Sequence, residues 1–421
     1  MTHRIARSAV AIALAFTAPS MALAKPEPLT FGARLDRARA TLRVDAGGLH
    51  GPGAAVIADA VGHARYVLLG EDHFSREIPS FTTGICRIMA PSGLSALAVE
   101  TGPEATVFVN DALRRPDRAT RIAAFARAHP DVMAFQNGRD ESDMAAECAR
   151  LAGRRFAIWG LDQEFFGATG YLLERMRAAR PGPKARAAIE RLALLDRAMT
   201  AAARASGSPA DLFVYTVTDA QMAEAGGHIA RDGGARVSAI FAALAETRAI
   251  FLGQSTDAFA SNAQRARLMK RTLAAHLAAG PKASRVLFKF GDVHMAKGIN
   301  ALGQRDLGNF VAERAEGDGT ASLHIAVYGA KGVHAVYGGV GRPVRHDPFV
   351  LTDDPDYAWL KDVVTTPASD DPRQDWVLID LRALRAKPPR DMPPAWKTAT
   401  QQYDLLVVAP ELTPSSLLGA P

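Results

Sequence analysis

Tyr66-Val67-Leu68-Leu69-Gly70-Glu71-Asp72-His73 is an apolar run that ends abruptly in two acids and a histidine. Residues 66–69 leave no polar face on an extended segment. A strand of that kind belongs in a parallel sheet covered by helices on both sides. The arrangement returns at Val286-Leu287-Phe288, followed by Gly291-Asp292-Val293-His294. Two further runs end in acids: Ala96-Leu97-Ala98-Val99 in Glu100, and Phe156-Ala157-Ile158-Trp159-Gly160 in Asp162 and Glu164. In an open α/β sheet, ligands bind outside the carboxyl ends of the strands. If these runs are neighbours, two histidines and several carboxylates converge on one cleft. That is the composition of a metal site or of a water-activating acid/base site.

Working outward, residues 31–60 read as helical, and strands are expected at 65–70, 94–100 and 156–160. Helices are expected between them at 81–89, 107–127 and 141–151. This βαβαβ alternation predicts an α/β fold with a largely parallel central sheet flanked by helices. From about 170 to 280 the apolar spacing is helical throughout, which predicts a helical insertion between the third and fourth core strands. Strands resume at 285–290, 323–328, 376–381 and 405–409, and residues 343–373, rich in Pro and Asp, read as an ordered loop.

The N-terminus has the form of an export signal: Arg4 and Arg7, an apolar core from Ala9 to Phe16, and Ala22-Leu23-Ala24 as a cleavage site. The expectation is a signal peptide over 1–24 and a single α/β domain over 25–421, periplasmic or secreted. No later stretch is long and apolar enough to span a bilayer. The formal charge of +6 falls to +4 once Arg4 and Arg7 leave. Basic residues are scattered rather than blocked, so nucleic acid is not an expected partner. The expected partner is a small-molecule or peptide substrate. Of the two cysteines, Cys86 and Cys148, either the pair forms a disulfide in an oxidising compartment or each is a small buried hydrophobe.

His73 is the first candidate catalytic residue, with Glu71 to orient it and raise its basicity. His294 stands at an equivalent strand end. Glu100 closes an apolar strand and needs a partner if buried. Arg76, Asp162, Asp292 and Asn309 are candidate substrate-binding residues, each with a plainer alternative. Asp292 either orients His294 or caps the next helix, and Asp162 and Glu164 are equally placed to cap. Asp306 and Asn309 suit turn chemistry at Gly308, and Arg76 suits the surface. A metal variant places zinc, manganese or iron among His73, His294 and Glu71, ligands whose softness fits those ions. Absences narrow the chemistry: the sequence has no G-x-S-x-G elbow, and no H-E-x-x-H, P-loop or G-x-G-x-x-G motif after the first strand.

Leu68-Leu69-Gly70-Glu71-Asp72-His73 resembles the G-E-x-H motif of the ChaN-like and TIKI-like proteins, and the G-E-x-x-H motif of the erythromycin esterases of the same superfamily. Glu100 and Gly291-Asp292-Val293-His294 match that superfamily's second-strand acid and late histidine. Arg265-Ala266-Arg267-Leu268-Met269 is similar to the esterases' R-D-R-x-M helix, with Ala266 in place of the acid. Tyr403 to Pro414 is similar to their closing strand and Thr-Pro turn. The resemblance implies an exported hydrolase acting on an ester, lactone or amide through activated water, esterase-like or metal-dependent and peptidase-like. It implies two alternatives as well: a periplasmic haem or small-ligand binding protein of the ChaN-like type, or an inactive family member. In the hydrolytic reading His73 is the general base assisted by Glu71, His294 polarises the carbonyl or serves the leaving group, and Glu100 orients a histidine.

Overall fold

The computed structural model of the chain describes residues 29–133, 135–281, 283–364 and 375–419. The expected signal peptide lies outside them. Eleven strands are described: β1 (Arg39–Asp45), β2 (Gly48–His50), β3 (Tyr66–Glu71), β4 (Leu94–Val99), β5 (Ala157–Gly160), β6 (Arg285–Gly291), β7 (Ser322–Gly329), β8 (Lys331–Val336), β9 (Arg345–Val350), β10 (Trp376–Asp380) and β11 (Leu405–Ala409). Nine form one sheet in the order β2-β1-β10-β11-β7-β3-β6-β4-β5, while β8 and β9 pair apart as a hairpin. From β11 to β5 every pairing is parallel. β10 joins β11 antiparallel, and β1 and β2 extend the sheet antiparallel beyond it.

The apolar character of β3 has the expected cause. Val67 and Leu69 pack into the hydrophobic layer on one face, with Phe81, Ile85 and Met144. Tyr66 and Leu68 pack into the layer on the other, with Met269, Leu273 and Phe288. Burying a side chain of that size contributes about 1.5–3 kcal/mol, which offsets the ordering entropy only because both faces are covered.

Three expectations need correction. Residues 39–50 are strands rather than helix: Thr41 and Val44 suit an extended chain, and β1 pairs with β10 through Thr41↔Val377 and Leu42↔Trp376. The helix expected over 107–127 is two, Pro103–Ala112 and Arg118–Ala128, parted before the second at Pro116, whose ring a helix interior does not accommodate. The loop expected at 343–373 contains β9 and short helical turns up to 364. The insertion stands as read. Between β5 and β6 the chain is helical, with its longest elements at Pro183–Ser206, Gly234–Thr256 and Ala258–Ala279. No helix among the described residues is long and apolar enough to cross a membrane.

Candidate active site

The order of the strands makes the site. After β5 the chain returns through the helical insertion and inserts β6 between β3 and β4. Glu71 is then in register with Gly291, and Val99 with Lys289. The carboxyl ends of three adjacent strands thus bring Glu71, His73, Glu100, Asp292 and His294 together. Two glycines permit the approach. A Cβ on Gly70 would meet the Asp292 backbone at 2.8 Å, and one on Gly291 would stand 3.2 Å from His73 Nε2 and 3.3 Å from Glu100 Oε2.

His73 lies between two carboxylates. Its Nδ1 is 3.1 Å from Glu71 Oε1, and its Nε2 is 3.3 Å from Glu100 Oε2. Burial works to lower its basicity, but the hydrogen bonds and charges of Glu100 and Glu71 outweigh it and hold the imidazole at about 10. His73 is therefore an imidazolium at neutral pH, donating on both sides. Its ring stacks on Phe135 with centroids 3.8 Å apart, and its side chain keeps 23% exposure. Phe135 and Phe74 both have positive φ, 64° and 62°, a conformation that costs of order 1–3 kcal/mol for a residue with a side chain.

His294 is set differently. Its side chain is only 4% exposed, and Nδ1 is 2.8 Å from Asp306 Oδ2. Asp306 is itself fixed: Oδ1 accepts from the Leu307 amide and Oδ2 from Asn300. An aspartate at Nδ1 makes that nitrogen the donor, so in the neutral ring Nε2 is the acceptor. That Nε2 faces Glu100 Oε1 at 3.5 Å.

Two cations complete the site, Arg265 partly exposed and Lys289 buried. Arg265, on the helix Ala258–Ala279, donates to Glu100 Oε1 at 2.7 Å and grips both oxygens of Asp162. Burial disfavours ionised Glu100, but the histidines and Arg265 hold its carboxyl well below the usual range. Lys289 projects from the middle of β6 and donates to both Glu71 and Glu141. Burial pushes Glu141 up to about 7 against the pull of Lys289. Helix Arg139–Ala152, which carries Glu141, is joined to helix Glu77–Met89 by the Cys86–Cys148 disulfide. Of the two fates open to the cysteines, the structure shows pairing.

The other candidates fall elsewhere. Asp162 serves Arg265. Asp292 is not the partner of His294: it accepts from Tyr328 at 2.7 Å and Tyr357 at 3.3 Å, and its Oδ1 accepts from the Val293 amide. Glu164 caps the helix Pro103–Ala112, accepting from the Glu104 amide. Asn309 bonds to Glu313 and to the Gly298 amide, and Arg76 is exposed. Sequence reasoning missed Lys289, Glu141 and Phe135 and assigned Arg265 no role. Lys289 had a signal: a lysine inside Val286–Phe290, a strand buried on both faces, requires a carboxylate partner. Asp306 had only its place before a helix, and Glu141 and Phe135 had none.

A cavity of about 230 Å³ lies against the site, with Glu71, Asp72, Asp292, Tyr328 and Tyr357 in its walls and the β8–β9 hairpin over it. The hairpin is tied down by His334, 2.9 Å from Asp72. The metal variant does not fit these donors. Glu71 and Glu100 are neutralised by Lys289 and Arg265 where a dication would have to sit, and His73 and His294 already face carboxylates. No group of three or more His, Cys, Asp or Glu among the described residues is arranged to hold an ion.

No family model matches the sequence, and no curated protein matches it. Solved structures do. A mutant of erythromycin esterase EreC in its open conformation matches with a TM-score of 0.64 at 16% identity, over 90% of this chain and 99% of that one. A Bacillus cereus protein matches with a TM-score of 0.53 at 13% identity, over 85% and 91% of the two chains. A succinoglycan biosynthesis protein matches with a TM-score of 0.54 at 14% identity, over 87% and 92%. At these identities the likeness is one of fold. The resemblance read at Leu68–His73 holds at that level: this chain has the fold of erythromycin esterase EreC.

Proposed function

We propose that the protein is an exported hydrolase that uses activated water to cleave an ester, a lactone or an amide. One observation carries the reading. Glu71, His73, Glu100 and His294 at adjacent strand ends, with Asp306 at the start of the helix Leu307–Gly317, form a continuous chain of acid and base groups, beside a cavity. A chain of this kind can take a proton from water at one point and return it at another. The shared fold with an esterase supports the reaction class. The Cys86–Cys148 pair and the Ala22-Leu23-Ala24 pattern support an oxidising compartment.

The geometry favours the reverse of the histidine roles expected from sequence. His73 is charged and is the more exposed of the two, so it acts as the acid, donating to the carbonyl oxygen as charge develops and then to the leaving group. Water attacks the carbonyl carbon and gives its proton to Glu100. His294 Nε2, held as an acceptor by Asp306, takes that proton onward. The bond from the carbonyl carbon to the leaving oxygen or nitrogen then breaks, and His73 supplies the proton that completes the alcohol or amine. Arg265 keeps Glu100 ionised until the water attacks, and Lys289 holds Glu71 ionised beside His73. Purified protein and the His73→Ala variant, assayed on aryl esters and simple lactones with and without a chelator, test this. The expected result is turnover in the wild type, indifferent to chelation and lost in the variant. No turnover of any ester, lactone or amide would overturn it.

A further inference from the structure

We infer that a second cavity, on the far side of Phe135 from His73, is a subsite for an apolar acyl or aryl group of the substrate, with Phe135 as the wall that sets what fits. The inference rests on the hydrolytic reading and specifies its substrate. The cavity, of about 260 Å³, is lined by Phe74, Met133, Phe135, Phe165, Tyr337 and Val344 among others. Two aromatic rings link it to the reacting groups: Phe135 stacks on the His73 ring at 3.8 Å, and Phe74 follows His73 in the chain and packs on Phe135 at 5.3 Å. The Phe135 ring stands between the cavity and the imidazolium, so a substituent held in the cavity joins its carbonyl at His73 by passing the edge of that ring.

Backbone strain points to the same place. Among the described residues, four non-glycines have positive φ, and Phe74, Asp131 and Phe135 are three of them. All three line this cavity. Large side chains avoid that region of conformational space, and such strain persists where the surrounding fold holds it, most often at binding and catalytic sites. The cavity's acid is already engaged, since Tyr337 donates to Asp131 at 3.3 Å. Its size falls below the roughly 300–1,000 Å³ typical of pockets for whole drug-sized ligands. It suits one substituent, an alkyl chain or a single ring.

The test uses p-nitrophenyl acetate, butyrate, hexanoate and octanoate with the full chain and with Val344→Trp and Leu417→Trp, two residues that line the cavity and whose enlargement fills it. In the wild type kcat/KM should climb by up to about fourfold per added methylene until the cavity is full. Both variants should keep acetate hydrolysis and lose the climb. Binding of n-hexanol, followed by calorimetry, should be seen in the wild type and not in the variants. A flat chain-length profile in the wild type, or the same climb in both variants, overturns the subsite and leaves hydrolysis standing. If no ester turns over but hexanol binds to the wild type alone, hydrolysis falls and the apolar site stands. Absence of hexanol binding in all three proteins overturns the subsite independently of turnover.

Discussion

The strand ends of β3 and β6 carry nearly the same signature, Gly-Glu-Asp-His and Gly-Asp-Val-His, and make two different histidines. His73 faces the cleft between two glutamates and is held charged. His294 is buried, with Asp306 fixing one ring nitrogen. The acids in the two motifs differ as well: Glu71 reaches its own histidine, whereas Asp292 turns away to the hydroxyls of Tyr328 and Tyr357. A motif therefore places a histidine at a strand end, and the partners contributed by the rest of the fold decide its chemistry.

Substitutions at the β3 end should affect rate above all. His73→Ala or Glu100→Gln should lower kcat/KM on the order of 10²–10⁴-fold. For His73→Ala, which removes a partly exposed side chain, circular dichroism should show an intact fold. The supporting cation behaves in the opposite way. Lys289→Met leaves Glu141 buried without a cation and Glu71 with His73 alone, and should destabilise the protein by about 3–5 kcal/mol, read as a lowered denaturant midpoint. Adding Glu141→Gln should restore part of that loss.

At the β6 end the two effects should come together. His294→Ala strands the buried carboxylate of Asp306, so a loss of about 1–3 kcal/mol should accompany the loss of turnover. If His294→Ala proves as stable as His73→Ala, the two ends do not differ as described. Proton linkage gives a finer distinction. The folded-state pKa of His73, about 10, lies above its ordinary value of about 6.5. Its contribution to stability is thus complete below about 6.5 and is lost as pH rises to about 10. Melting temperature should fall across that window in the wild type, and less steeply in His73→Ala. The smallest effects belong to Arg76→Ala and Asn309→Ala, outside the chain of acid and base groups, which should change stability by less than about 0.5 kcal/mol and leave kcat/KM unchanged.

What the sequence disclosed follows the same division. β3, β4, β5 and β6 were legible because their runs are mainly apolar, as strands covered by helices require, and Glu71, His73, Glu100 and His294 because they break that pattern at strand ends; Lys289 breaks it inside β6. β1 was not legible: it forms through pairing with β10, more than three hundred residues away, and its alanine-rich neighbourhood reads as helix. Asp306 looks like an ordinary cap, and it is one. Only the position of the loop after His294 makes it an orienting group. Arg265 and Glu141 reach the site from helices whose local pattern says nothing of where they dock.

The most direct test of the contrast between the two strand ends is a titration of the His73 ring by nitrogen-detected NMR, with His73→Ala used for assignment. A ring protonated on both nitrogens through neutral pH, losing its proton only near 10, is the expected result. A ring that titrates near the ordinary value of about 6.5 would contradict the clamp by Glu71 and Glu100, and with it the assignment of His73 as the acid.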